Sequence, residues 1–338
     1  MIDAVYQAPN FGETLLRRII AVLKTALHLG VHRCATTSFQ AYLDQNTQVL
    51  AQFGVAAWTP RRTRKALFAG LVRPPEAACQ ADRAKDDAAR VLVERERDAL
   101  AQQGIRNLVV SEENMIGTPR DNLARGALYP HLPQRLARFV NAFGGKIDDI
   151  GLCIRNYEDY WASVLAFSTA HGGDVPSPSE AAHLARQPRN WTTLVQDIAQ
   201  AVPNARITVW TFEAFAGRPR RQFNMLTGRI DVAHMLDQSP NWKNSSRNCN
   251  KLRHILKTKG RAEMAARLPR GGGTWMPFDT DDRAHMQARY DADKRWLSHA
   301  GPQITFHAQT AIKVPRKIHA LTGADQTGGH HEPTRLMG

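Results

Sequence analysis

Three stretches of this chain carry side chains suited to holding and moving anionic groups. The first is Gly30-Val31-His32-Arg33-Cys34-Ala35-Thr36-Thr37-Ser38, which places a forked cation and three hydroxyls between a compact apolar run and a helix-like one. A strand, a tight polar loop and a helix start make an anion site, because unpaired N–H groups and the positive end of the helix dipole point at the ligand. Arg33 adds paired donors that match phosphate or sulfate oxygens. The second stretch is Ser111-Glu112-Glu113, where two acids follow an apolar strand. In the third, Arg155 ends an apolar run and Ser163 follows it by eight residues. An arginine at a strand end and a serine two turns into the next helix can converge on one anion.

The loop is tested first against the commonest phosphate cradle, G-x-x-x-x-G-K-[ST]. Counted from Gly30, that pattern needs glycine at 35 and lysine at 36, and the chain has Ala35 and Thr36. The lysine that reaches the β- and γ-phosphates is absent, which disfavours an ATP or GTP hydrolase.

The loop resembles instead the phosphosulfate-binding loop of sulfotransferases that use 3′-phosphoadenosine-5′-phosphosulfate. It is similar to the loops of bacterial members of that family, which read like His-Lys-x-Gly-Thr-Thr-Ser-x-Gln. Arg33 stands at their lysine position and Ala35 at their glycine. A second part of the resemblance is Leu152-Cys153-Ile154-Arg155-Asn156-Tyr157 leading to Ser163, with Tyr157 where a proline is usual. The resemblance spans residues 25 to 250 as an order of elements and is specific at these two motifs. It implies a P-loop-type fold in which Arg33, Cys34, Ala35, Thr36, Thr37 and Ser38 hold the phosphosulfate. Arg155 and Ser163 would then hold the 3′-phosphate. A third family region, for the adenine end, corresponds to Asn241-Trp242-Lys243-Asn244-Ser245-Ser246-Arg247, with Lys243 and Arg247 as candidates. Trp161 and Phe167 are read as core.

Sulfuryl transfer needs in-line attack on sulfur, with charge building on the oxygen that bridges to the departing bisphosphate. Arg33 would stabilise that charge but cannot act as an acid, since it stays protonated. The acceptor must lose a proton to a base. Glu112 is the first candidate, with Glu113 beside it and His32 as the alternative; adjacent acids after a strand also suit a helix cap. The chemistry requires no metal.

These residues need elements to position them. Strands are predicted over 25–31, 54–58, 107–111, 150–154 and 206–210. Helices are predicted over 38–50, 83–102, 133–143, 157–170, 190–201, 218–227, 248–258 and 281–298. Such alternation predicts an α/β fold: a mainly parallel sheet flanked by helices, P-loop NTPase-like in three layers, with a helical C-terminal part. Ligands in such sheets bind beyond the carboxyl ends of the strands. The expected organisation is an N-terminal helical appendage over 1–24, an α/β domain over 25–315, and a disordered tail over 316–338.

The 338 residues are 43% hydrophobic and 22% charged, as in ordinary globular chains. No apolar run approaches the roughly 20 residues of a membrane span, and Lys24 interrupts any signal-like stretch, so a cytoplasmic location is expected. The four cysteines, Cys34, Cys79, Cys153 and Cys249, form no C-x-x-C pair, which argues against zinc or a disulfide framework. A formal charge of +14 favours an anionic partner. One basic cluster is Arg61, Arg62, Arg64 and Lys65; another runs from Lys243 to Arg270 with Glu263 as its only acid. The expected partners are the nucleotide donor and an unidentified acceptor, a carbohydrate among the candidates, with no stable nucleic-acid partner. Two other classes fit part of the pattern. A P-loop-fold small-molecule kinase would depend on magnesium. A non-catalytic polyanion binder would use the 243–270 face and leave the Arg155–Ser163 interval unexplained.

Overall fold

The computed structural model describes residues 22–73, 75, 80–237 and 248–308. Its strands are β1 (Lys24–His28), β2 (Val55–Trp58), β3 (Asn107–Ser111), β4 (Asp149–Ile154), β5 (Arg206–Thr211) and β6 (Ile304–His307). They form one sheet in the order β2-β3-β1-β4-β5-β6, and every neighbouring pair is parallel. A parallel sheet must be covered on both faces, and the strand sequences reflect it. In β3, Leu108 and Val110 enter one apolar core while Val109 enters the other, as the two-residue period of a strand requires.

The helices covering Val109 and Ala26 are α1 (Thr36–Gln45), α2 (Thr47–Gln52), and, further along the chain, the pair Pro219–Thr227 and Ile230–Met235. Those burying the opposite face are α3 (Gln80–Gln102), α4 (Leu132–Ala142), α5 (Tyr157–Ala170) and α6 (Trp191–Ala201). The protein is therefore an α/β fold of three layers. Gly151 permits the close packing of one layer: a Cβ there would lie 2.8 Å from the Trp210 ring and 2.9 Å from Leu226 Cδ1.

Several boundaries differ from those predicted. The expected helix over 38–50 begins at Thr36 and breaks at Asn46. The Asn46 side chain donates to the carbonyls of Tyr42 (2.9 Å) and Asp237 (3.2 Å) and accepts from the Asp237 N–H (2.8 Å). These bonds to a distant segment outweigh helix continuity. Residues 1–21 of the expected N-terminal appendage lie outside the described residues, and Lys24, its expected last residue, opens β1 against Asn107. The edge strand β6 and the helix Pro178–Ala185 were not predicted, being too short to show a period. The tail beyond 308, Cys79, and the candidates Lys243 and Arg247 lie outside the described residues. No helix among the described residues is long and apolar enough to cross a membrane.

Strand β1 lies between β3 and β4. Chain connections diverge on its two sides, which opens a crevice at the carboxyl ends of the three strands. His28, Ser111 and Ile154 end on that edge, and the loop 29–35 fills the crevice.

Candidate functional site

The loop leaves β1 with the Leu29 N–H donating to the Gly151 carbonyl (3.0 Å). Gly30 turns at φ 57°, and a Cβ there would lie 2.6 Å from Thr36 Cγ2, so glycine is required. Arg33 (φ 63°) and Ala35 (φ 60°) are also left-handed, without glycine's freedom. Ala35 is the N-cap of α1, and no side chain caps this helix. The first turn thus presents its peptide N–H groups toward the crevice.

Sequence-distant groups converge on Arg33. Its Nε donates to Ser163 Oγ (2.9 Å), and its guanidinium lies 5.2 Å from the centre of the Phe167 ring. Arg155 Nη1 donates to the Arg33 carbonyl (2.8 Å) while its guanidinium stacks 4.2 Å over Phe212. The Arg155 carbonyl accepts from Trp191 Nε1 (2.9 Å), which anchors the end of β4. Arg155 is half-buried and makes no ion pair among the described residues. The Asp159 carboxylate feels the Arg155 charge, but no direct ion pair among the described residues occupies the guanidinium, which leaves donors for an external anion. Phe167, expected in the core, is instead 40% exposed beside Arg33. It follows Ser163 by four residues and so shares its helix face, the signal that could have marked it. Trp161 is fully buried, as read.

Tyr157, at the place where the sulfotransferase motif that this stretch resembles usually has proline, has a packing role. It stacks on Trp191 (5.6 Å between centres), donates to Asp293 (2.5 Å) and accepts from the Trp191 N–H (2.7 Å). Asn156 caps α5 by accepting from the Glu158 N–H (2.9 Å).

The two acids after β3 occupy different environments. Glu112 is fully buried; its carboxylate accepts from Thr63 Oγ1 (2.9 Å), from Arg64 Nη2 (2.7 Å) and Nε (3.0 Å), and from the Asn114 N–H (3.1 Å). These bonds occupy the carboxylate and anchor the segment after β2, a structural position for the residue expected as the first-choice base. Glu113 faces the loop: its Cβ lies 3.4 Å from where a Cβ on Gly30 would sit. Its oxygens accept from Gln40 Nε2 (2.6 Å) and Arg64 Nη2 (2.8 Å). Burial alone would raise the Glu113 carboxyl, but the His32 ring (charged only in acid), the Arg64 guanidinium and the Gln40 amide outweigh it and hold it below the usual range. Gln40 and Arg64 carried no predicted role, although Gln40 completes the Thr-Thr-Ser-x-Gln pattern.

His32 is held on three sides. Its N–H donates to Tyr129 Oη (2.9 Å), its Nδ1 lies 3.1 Å from the same oxygen, and its Nε2 lies 3.3 Å from Asn114 Oδ1. One arrangement satisfies all three: Tyr129 donates its proton to Nδ1, and Nε2–H donates to Asn114. Burial lowers His32 to about 4, against the opposing effect of Glu113. The ring is therefore neutral near pH 7.

The remaining loop residues divide between structure and site. Thr36 is buried and its hydroxyl, expected to meet an anion, donates to the Val31 carbonyl (3.0 Å). Cys34 is buried and its N–H donates to the Val31 carbonyl (3.2 Å), so it braces the loop from within. Thr37 and Ser38 are half-buried in the first turn of α1. No group of three or more His, Cys, Asp or Glu placed to hold a metal ion occurs among the described residues.

The chain is similar to the crystal structure of a sulfotransferase from Alicyclobacillus acidocaldarius, at 17% identity and a TM-score of 0.34 over 73% of this chain and 94% of that one. No family model and no curated protein matches the chain.

Proposed function

We propose that the chain is a sulfotransferase that moves a sulfuryl group from 3′-phosphoadenosine-5′-phosphosulfate to a hydroxyl or amine of an acceptor. The carrying observation is the meeting of Arg155 and Ser163 at Arg33, two separate motifs gathered at the carboxyl edge of a parallel sheet. A lone P-loop explains neither the half-buried Arg155 at the Arg33 carbonyl nor Ser163 at the Arg33 guanidinium.

In this reading Arg155 and Ser163 hold the 3′-phosphate, while Arg33, Thr37, Ser38 and the N–H groups opening α1 hold the phosphosulfate. The acceptor oxygen forms a bond to sulfur as the bond from sulfur to the bridging oxygen breaks, its electron pair leaving with the bisphosphate. Arg33 stabilises the charge on that oxygen as a hydrogen-bond donor and keeps its proton. Glu113 takes the acceptor proton, in preference to the enclosed Glu112; His32, neutral and anchored to Tyr129, shapes the loop beside it. Because Glu113 titrates below the ordinary carboxylate range, its ionised form persists through mild acid. kcat/KM should therefore hold down to about pH 5, and fall only as the carboxylate protonates.

The test is a thermal-shift comparison of adenosine 3′,5′-bisphosphate with ATP and GTP, each with and without magnesium. Only the bisphosphate should raise Tm, independently of the metal. Arg155→Ala should weaken the bisphosphate by about 2 kcal/mol, the loss of a charge-assisted contact. Magnesium-dependent stabilisation by ATP would instead support a kinase, and equal affinity in Arg155→Ala would remove the 3′-phosphate assignment.

A further inference from the structure

The basic cluster after β2 has a structural counterpart that the nucleotide site does not use. A short helix, Pro60–Arg62, passes into a π-helical turn, Thr63–Leu67. Thr63 and Arg64 turn inward to Glu112 and Glu113. Arg61, Arg62 and Lys65 turn the other way and line an open cleft of about 560 Å³ with Arg95, Asp44 and Glu96. That volume suits a small ligand.

The charges in the cleft are unequally satisfied. Arg62 pairs with Glu96 and lies over the Trp58 ring, and Arg95 reaches Glu96 at 3.5 Å. Asp44 accepts from Thr59 Oγ1 (2.7 Å). Arg61 and Lys65 are exposed and make no hydrogen bond or ion pair among the described residues. Four cations thus face two carboxylates, and two of the cations are uncommitted. The carboxylates matter to the identity of the ligand. They can accept from hydroxyls but would repel a continuous phosphate backbone, so the wall suits a hydroxylated molecule carrying discrete anionic groups.

The position of the cleft gives it a role. Gln40, which holds Glu113, precedes Asp44 by one turn of α1, a rise of about 6 Å. Arg64, which also holds Glu113, is the direct neighbour of Lys65. Arg155 and Ser163 belong to the β4 side of β1, whereas this cleft belongs to the β2–β3 side, with the loop between them. We propose that this cleft receives the acceptor, and that the acceptor is an anionic saccharide whose acidic group is held by Arg61 and Lys65 while a hydroxyl reaches Glu113. This rests on the transferase reading above.

The experiment uses the full chain and isothermal titration calorimetry with three probes: a tetrasaccharide alternating glucuronate with N-acetylglucosamine, the neutral chitotetraose, and adenosine 3′,5′-bisphosphate. The acidic tetrasaccharide should bind about tenfold more tightly than the neutral one, and R61E/K65E should abolish that preference. Both side chains are exposed and make no bond or ion pair among the described residues, so the double variant should keep the parent Tm and bisphosphate affinity. Equal binding of the two tetrasaccharides, or an unchanged preference in R61E/K65E, would overturn the proposal, as would tighter binding of a short single-stranded oligonucleotide than of the acidic tetrasaccharide. A chain that takes the acidic tetrasaccharide in the cleft but not the bisphosphate would support the anionic-saccharide site and remove the transferase reading instead.

Discussion

Ala35 occupies a backbone conformation, φ 60°, that L-residues other than Asn and Asp adopt at a cost of about 1–2 kcal/mol. The sulfotransferase loops that this one resembles have glycine at that place. Replacing Ala35 with glycine removes the steric cost but adds chain entropy to the unfolded state. The net gain should be about 0.5–1 kcal/mol in denaturant unfolding, and a destabilised variant would show that the Ala35 methyl makes a packing contribution larger than the strain. His28 makes a second residue-scale prediction. It is buried between Phe39 and Trp210, lies 2.8 Å from Ser111 Oγ, and is lowered by burial from 6.5 to about 4 despite the nearby Glu113. Since the folded value lies below the unfolded one, the unfolded chain takes up the proton first as pH falls. The stabilisation is complete above about pH 6.5, is lost by about pH 4, and amounts to about 3 kcal/mol. Stability measured across that window should fall less steeply in His28→Gln, which cannot titrate. An NMR titration showing His28 protonating near 6.5 would contradict this.

At the scale of elements, the loop between β1 and α1 is held in shape by side chains from elsewhere in the chain. Tyr129 carries much of that restraint. It is fully buried at a left-handed φ of 43°, its N–H donates to Asn122 Oδ1 (3.0 Å), and its hydroxyl meets both the N–H and the ring of His32. Asn122 also donates to Tyr160 Oη (2.9 Å), and Tyr160 lies 3.5 Å from Tyr129 Oη, so the restraint reaches into α5. Tyr129→Phe leaves the His32 groups without their partner and should cost about 1–3 kcal/mol of stability. It should also weaken the bisphosphate, because the loop loses its fixed shape; an unchanged affinity would show that the loop is rigid without Tyr129. The same scale explains which elements were legible in the sequence. Long helices such as Gln80–Gln102 and the buried strands β3 and β4 have the periods and apolar runs that identify them. The break at Asn46 and the π-helical turn at 63–67 do not, since partners far along the chain stabilise both.

For the whole molecule, the charge of +14 is not spent on one face. In the C-terminal basic stretch, Lys259 donates to the Ala170 carbonyl (2.8 Å) and Arg261 to the Gly173 carbonyl (2.8 Å) and Asp174 (2.5 Å). Part of that stretch therefore fastens the chain around 259–261 to the end of α5. The remaining positive field acts at a distance, drawing anions in without selecting among them. The association rate of adenosine 3′,5′-bisphosphate should fall about tenfold from low to physiological ionic strength, with the dissociation rate nearly unchanged. Stopped-flow measurements test this; a change confined to dissociation would place the salt effect in the bound site.

By itself the sequence determined the alternation of strands and helices, the absence of a Walker lysine and the two intervals that mark the anion loop and the Arg155–Ser163 pair. These are local properties, written in residue period, turn chemistry and spacing. Only the tertiary structure decided that Ser163 and Arg155 meet at Arg33, that Phe167 lies open beside them, and that Glu112 is locked by Arg64 while Glu113 faces the loop. Both acids reach the same Arg64 Nη2, yet Glu112 is fully buried and Glu113 keeps a side toward the loop, and which of the two is enclosed depends on what packs there. In this chain it depends on Thr63 and Arg64, which are 49 and 48 residues from Glu112 in sequence and reach it through the order in which parallel strands pair.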